Sequence, residues 1–146
     1  MNRKKFWIAF GAIFIVLEIT GYLIHGVILG ATYESEWIKE VFRTMEEMDS
    51  RMWIMILTDL IWVYFFTLFF VKGYENKGIM EGVRFGLYMG IFVSLVISYQ
   101  NYVVLPIPYS LAFQWFAYGF VQSIILGVVA ALIYSPAAAA ESSDES

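Results

Sequence analysis

Two carboxylates stand within long apolar runs of the sequence, Glu18 in the first run and Asp59 in the second. A charged side chain at the centre of a membrane helix costs roughly 2.5 to 3.5 kcal/mol on insertion scales, so such residues are candidates for function. At about 1.5 Å per residue, Glu18 lies about 18 Å along its run and Asp59 about 10 Å along an opposite one, at similar depths in a core of about 30 Å. If the two are close, repulsion and desolvation favour one of them holding a proton, which suits proton-coupled transport.

Further polar residues are predicted to reach the same level. Steps of three, four and seven residues return to one face of a helix, which places Tyr22 and His25 on the face of Glu18. Depth counting brings side chains of the third and fourth runs to a similar level. The predicted intramembrane polar site consists of Glu18, Asp59, Tyr22, His25, Ser98, Tyr118 and Gln122. The structural alternative is a neutral Glu18 that simply hydrogen-bonds a tyrosine, glutamine or serine nearby.

Other chemistry finds little support. The chain has no cysteine and a single histidine, His25, whose helix lacks a paired ligand pattern such as HExxH, so we expect no metal site. Without GxSxG, a phosphate loop or a histidine paired with a nucleophile, we expect no catalytic residue, no cofactor and no enzyme. A less favoured hypothesis is an enzyme or lipid-binding site in which His25 meets Glu46, Glu47 and Asp49.

The composition of the chain indicates that the helices carrying these residues lie in a membrane. Hydrophobic residues make up 60% of the 146-residue chain and charged residues 15%, which is far too apolar for a soluble domain. A helix needs about 20 apolar residues to cross the bilayer, so the runs at about residues 6–30, 52–71, 82–105 and 109–134 predict four transmembrane helices. We predict an all-α membrane protein, a four-helix bundle forming one domain over residues 1–136, with a disordered acidic tail at residues 137–146.

The loop between the first two spans has a helical signal of its own. Apolar residues recur there at three- and four-residue steps, as on an amphipathic helix. They are Trp37, Ile38, Val41, Phe42, Met45 and Met48. We expect a short amphipathic helix that lies on the membrane surface.

The basic residues predict the orientation. One end of the bundle carries Arg3, Lys4, Lys5, Lys72, Lys77 and Arg84, and the other carries Lys39, Arg43 and Arg51. Because an excess of Lys and Arg in short loops marks the cytoplasm, both termini are expected there and the amphipathic loop outside.

Small residues at a spacing of four predict close helix packing. The ridge on the third span contains Gly78, Gly82, Gly86, Gly90, Ser94 and Ser98, and the fourth span carries Gly119, Ser123, Gly127 and Ala131. Small-xxx-small ridges allow backbones to approach closely in lipid, so this glycine zipper is expected to join the third and fourth spans. The sharper alternative is an interface with a second copy of the chain.

Four segments carry a resemblance. They are GYLIHG at residues 21–26, KGYENKG at 72–78, EGVRFGL at 81–87 and VLPIPYSLAFQWF at 104–116. On these segments the chain resembles a family of small bacterial proteins with four transmembrane helices and no assigned activity. The resemblance implies a multi-pass protein of the bacterial inner membrane and supplies no catalytic or binding residue.

Two function classes fit the sequence best. The first is a small proton-coupled transporter or carrier with Glu18 as its protonatable residue and Asp59, Tyr118 and Gln122 around it. The second is a non-enzymatic accessory protein whose ridges pack against partner helices, from a second copy or another membrane protein. Both classes have the lipid bilayer as a partner, and neither involves nucleic acid.

Overall fold

The computed structural model describes residues 2–134, and the predicted acidic tail lies outside the described residues. Four helices are long and apolar enough to cross a membrane, here called the first to fourth spans: Arg3–Ile28, Met52–Lys72, Ile79–Val104 and Tyr109–Tyr134. Between residues 2 and 134 the chain contains helices and no strand. The predicted all-α fold with four membrane helices is confirmed.

Contacts between the ends of the first and fourth spans bring the two together. The backbone N–H of Asn2 donates to the Tyr134 hydroxyl at 3.0 Å, and the Lys5 ammonium donates to the Tyr134 carbonyl at 3.5 Å. A cation at a helix C-terminus also interacts favourably with the helix dipole. The first span therefore begins where the fourth ends, at what we call the terminal end of the bundle; the other is the loop end.

The buried side chains form two separate clusters. The terminal core contains Ala9, Ile13, Val63, Phe66, Phe70, Leu126, Ala130, Ala131 and Tyr134. The third span joins it through Phe85, whose ring meets those of Phe66 and Phe70 edge-on at 4.9 and 5.4 Å. The loop core contains Leu29, Ile38, Ile107, Leu111 and Ala112. The bundle is thus closed at its terminal end by all four spans and at its loop end by the loop folded onto the fourth span.

The loop between the first two spans differs from the prediction of one amphipathic helix. It consists of three short helices, Gly30–Tyr33, Glu36–Lys39 and Met45–Asp49. Extended backbone at Ser35 and Thr44 interrupts the helix, and Thr44 starts the last piece with a capping box to Glu47. As a result Ile38 turns inward, while Trp37, Met45 and Met48 stay exposed.

Two spans widen into π-helix partway along. The first does so at Tyr22–Ile28 and the third at Gly90–Leu95. A π-turn inserts one extra residue into the helix and occurs frequently at functional sites. The helical period of 3.6 residues assumes a continuous α-helix and therefore does not predict these segments. Because of the extra residue, each residue after a π-turn lies on a different face of the helix from the one that this period assigns.

Candidate functional site

Glu18 and Asp59 lie on the first and second spans, which pack against one another. The charge of Glu18 acts on Asp59, so the two side chains are within electrostatic range. Two like charges repel strongly where little water screens them. The pairing of these two carboxylates stays a prediction, with which the packing of their spans agrees.

The two carboxylates face different surroundings. Asp59 continues the stripe of buried residues Val63, Phe66 and Phe70 on the second span and is half-buried. Glu18 is exposed and shares its face with Ile15, which is also exposed. The hypothesis with Glu18 at the centre of the site is corrected: the first span turns its Leu17 and Thr20 side toward the fourth span, so Asp59 is the interior carboxylate.

No cation offsets the pair among residues 2–134. The ion pairs described there join loop and helix-end residues: Lys39 with Glu36, Arg43 with Glu47, and Glu75 with Lys77 and Arg84. An uncompensated charge away from water is unfavourable by several kcal/mol, on the order of 3 or more. The charges of these two carboxylates are therefore not balanced by any ion pair described for residues 2–134.

The side chain of Gln122 connects the fourth span to the first span through residues other than the two carboxylates. Its side-chain amide donates to the Thr20 hydroxyl at 2.7 Å and to the Leu17 carbonyl at 3.3 Å. Thr20 lies two residues beyond Glu18, nearly opposite it around the helix. The alternative in which Gln122 satisfies Glu18 is therefore corrected, because the amide is already used on the other side of the first span.

The other predicted polar residues do not assemble around the pair. Tyr118 packs on the loop core, and Tyr22 is exposed with its ring next to Gly26 in the π-helical segment. Ser98 is buried on the third span. The predicted polar layer of seven residues thus divides into the two carboxylates and separate contacts. The π-helical segments change the faces of Tyr22, His25 and Ser98, whereas Tyr118 lies on a continuous α-helix that turns it toward the loop core.

His25 belongs to a hydrogen-bonded chain at the loop end. The Trp115 indole N–H donates to the Tyr33 hydroxyl at 2.7 Å, and the same hydroxyl lies 2.8 Å from Nδ1 of His25. Because indole only donates, the Tyr33 O–H is free to donate to a neutral His25. Burial raises the pKa of Tyr33, and the hydrogen bond from Trp115 acts in the opposite direction. The first span, the loop and the fourth span are joined through one hydroxyl.

This arrangement gives His25 a partner other than the loop carboxylates. Glu47, one of those carboxylates, is engaged in the capping box with Thr44 and in an ion pair with Arg43. Within residues 2–134, no group of three or more His, Cys, Asp or Glu side chains could hold a metal ion.

The glycine ridges of the third and fourth spans face each other. A Cβ on Gly82 would clash with the backbone carbonyl of Gly127, and one on Gly86 would lie 2.6 Å from Cα of Ile124. Farther along, a Cβ on Gly119 would lie 2.6 Å from the Ser94 hydroxyl. The backbones therefore touch along several turns, and the contact is within one chain.

Gly90 belongs to the same seam, whereas Gly78 does not. A Cβ on Gly90 would lie 2.9 Å from the Phe120 ring, but one on Gly78 would meet nothing within 4 Å. Gly78 precedes the third span with a φ of 76°, in a region that disfavours side chains. Its assignment to the packing ridge is corrected: backbone conformation, not packing, accounts for this glycine.

Sequence reasoning missed the buried carboxylate of Glu81. It accepts hydrogen bonds from the backbone N–H groups of Glu75 at 2.5 Å and Lys77 at 2.9 Å, which holds the loop before the third span. The available signal was its position three residues after Gly78, where a helix N-terminus often has a Glu that reaches back to the preceding chain.

The start of the second span is uncovered on every side. Each residue from Arg51 to Thr58 is exposed, which covers more than two helical turns. The buried stripe begins only at Val63. Asp59 therefore lies at the boundary between the exposed start of this span and the part that packs against the other spans.

Comparison of the chain with family models, with curated proteins and with solved structures gives no match.

Proposed function

We propose that the chain is a small proton-coupled carrier in which Asp59 and Glu18 hold the transported proton. The observation that carries this proposal is the placement of two carboxylates, Glu18 and half-buried Asp59, on the packed first and second spans with no described ion pair to either. A structural role would be served better by a neutral side chain, because an uncompensated charge there is unfavourable. A pair that releases its proton when a substrate cation arrives has a reason to remain ionisable.

The difference between the two halves of the bundle supports a carrier. Below Asp59, toward the terminal end, the stripe is sealed by Val63, Phe66 and Phe70. Above Asp59, the second span is bare from Thr58 outward. We infer that the pair is reached from the loop end or from lipid and not from the terminal end, which is what one state of an alternating-access cycle would require.

The proposed orientation indicates which side of the membrane the exposed half of the second span faces. Basic residues concentrate at the terminal end, so we place that end in the cytoplasm of a bacterium and the chain in its inner membrane. The open half then faces outward.

Proton flux into liposomes tests the proposal. Purified protein is reconstituted into liposomes loaded in turn with Na⁺, K⁺ or Ag⁺, the liposomes are diluted into buffer without that cation so that its efflux can drive exchange, and an internal dye reports pH. We expect the wild-type protein to take up protons, Asp59→Asn to abolish uptake and Glu18→Gln to reduce it. Glu36→Gln is the control, because that carboxylate lies in the loop at 95% side-chain exposure. Equal uptake by wild type and Asp59→Asn would refute the proposal.

Stability against pH gives a second readout. Protonation of either carboxylate removes their repulsion, so the wild-type melting temperature in detergent should rise as pH falls. Asp59→Asn should flatten that dependence and Glu36→Gln should keep it. A profile unchanged by Asp59→Asn would contradict a titrating pair.

The second candidate function is an accessory protein that docks a partner helix, and the bare start of the second span favours it. Trp53 is 64% exposed there. Because the chain has no cysteine, Trp53→Cys introduces a single thiol for crosslinking in membranes. A specific crosslinked species together with carboxylate-independent proton flux would favour this candidate.

A further inference from the structure

Methionine is concentrated at the loop end of the second span. Four of the seven methionines fall within residues 45–55, namely Met45, Met48, Met52 and Met55. The first two lie one turn apart on the loop helix Met45–Asp49, and the last two lie one turn apart at the start of the second span. Only Asp49, Ser50 and Arg51 separate the two pairs.

These side chains are not part of either core. Their exposed fractions are 70% for Met45, 37% for Met48, 39% for Met52 and 55% for Met55. Methionine in a protein usually fills irregular gaps between packed residues. Here the thioethers are presented outward, and two of them stand on a charged loop helix where exposed apolar side chains give no packing benefit.

Thioethers at this spacing are suited to soft metal ions. Residues three or four apart on a helix have Cβ atoms about 5 to 6 Å apart, so two flexible methionine side chains can converge on one ion. Soft thioether ligands select Cu⁺ and similar ions, whereas Mg²⁺ and Ca²⁺ prefer oxygen ligands.

We propose that Met45, Met48, Met52 and Met55 form a binding site for a soft monovalent metal cation, Cu⁺ or Ag⁺. The site continues toward the carboxylates, because Asp59 lies one turn beyond Met55 on the same helix. This continuation rests on the proposed function: the cation passes to Asp59 and Glu18, and the carboxylate that receives it releases one proton. One positive charge enters and one leaves, with no change of oxidation state.

Calorimetric titration of the full chain in detergent with Ag⁺ tests the site. The test variant replaces all four methionines by leucine, a change of similar volume that a fold tolerates well. The matched control is Met80→Leu, since Met80 is 70% exposed, like Met45, but stands alone at the other end of the bundle. We expect wild type and Met80→Leu to bind alike and the fourfold variant to bind at least about tenfold more weakly.

Oxidation footprinting of the wild-type chain needs no variant. Peroxide converts exposed methionines to sulfoxides, and bound Ag⁺ should protect the four clustered residues but not Met80. Excess Ca²⁺ should protect none. Equal protection of Met80, or Ag⁺ affinity unchanged in the fourfold variant, would overturn the metal site and leave a lipid-facing or helix-docking surface.

The results separate this inference from the proposed function. If Ag⁺ fails to bind while proton flux still requires Asp59, the metal site is wrong and the carrier stands. If Ag⁺ binds through the methionines while flux ignores Asp59, the carrier is wrong and the metal site stands without its continuation.

Discussion

Gly86 lies at a close backbone approach that a single substitution can probe. A Cβ placed there would lie 2.6 Å from Cα of Ile124 and clash with the carbonyl of Ser123. Packed carbon atoms sit about 3.5 to 4.0 Å apart. The neighbouring atoms are backbone, so no side chain can rotate away, and Gly86→Ala must separate the third and fourth spans by about 1 Å.

The expected loss of stability follows from two opposing terms. Overpacking costs typically about 1 to 3 kcal/mol, whereas replacing a helical glycine by alanine contributes up to about 1 kcal/mol. Gly11 isolates the second term, since it is helical and a Cβ there meets nothing within 4 Å. Gly86→Ala should therefore be less stable than Gly11→Ala by about 1 to 3 kcal/mol, or about 3 to 10 °C in melting temperature at about 3 °C per kcal/mol.

Thermal unfolding in detergent measures the difference. Gly119→Ala gives an intermediate case, because its obstacle is the Ser94 side chain, whose hydroxyl can rotate. We expect the order Gly11→Ala, Gly119→Ala, Gly86→Ala from most to least stable. Equal melting temperatures for the Gly86 and Gly11 variants would refute a backbone seam within the chain.

Three polar contacts lead to further predictions. Tyr33→Phe leaves the Trp115 N–H without its acceptor and should destabilise the chain by about 1 to 3 kcal/mol in thermal unfolding; an unchanged midpoint would contradict this. Glu81→Gln removes one carboxylate oxygen, so hydrogen exchange at the Glu75 or Lys77 amide should accelerate, and wild-type exchange rates would count against the anchor. The side chains of Lys77 and Arg84 hold the pKa of Glu75 below its usual range. The stabilising contribution of Glu75 therefore exists at neutral pH and is lost on acidification. The melting difference between wild type and Glu75→Gln should be present at about pH 7 and vanish at about pH 3; an equal difference at both would refute the reasoning.

Apolar run length was sufficient to predict the architecture. Lipid offers no hydrogen bonds to a backbone, so a long apolar segment has helix as its stable form, whatever its neighbours. Each run therefore specifies its own span. The turn between the third and fourth spans is equally local, because Pro106 and Pro108 cannot continue a helix and Leu105 is accordingly extended.

The candidate site could be predicted only in part. Depth is additive along a helix, so counting residues was enough to place Glu18 and Asp59 at similar levels. Facing is not additive once a π-turn or a loop break intervenes, and even on the continuous fourth span the contacts of Tyr118 and Gln122 could not be assigned from spacing. Their contacts depend on how each span is rotated against its neighbours.

Taken alone, the sequence determined the four membrane helices, the depth of the carboxylates and the small-residue ridges, since each depends on local composition and the rise of a helix. Only the tertiary structure decided that Asp59 is the interior carboxylate, that Glu81 anchors a loop, and that the second span is bare where its methionines lie. These features depend on which helix faces are covered, and coverage is set by packing among all four spans together.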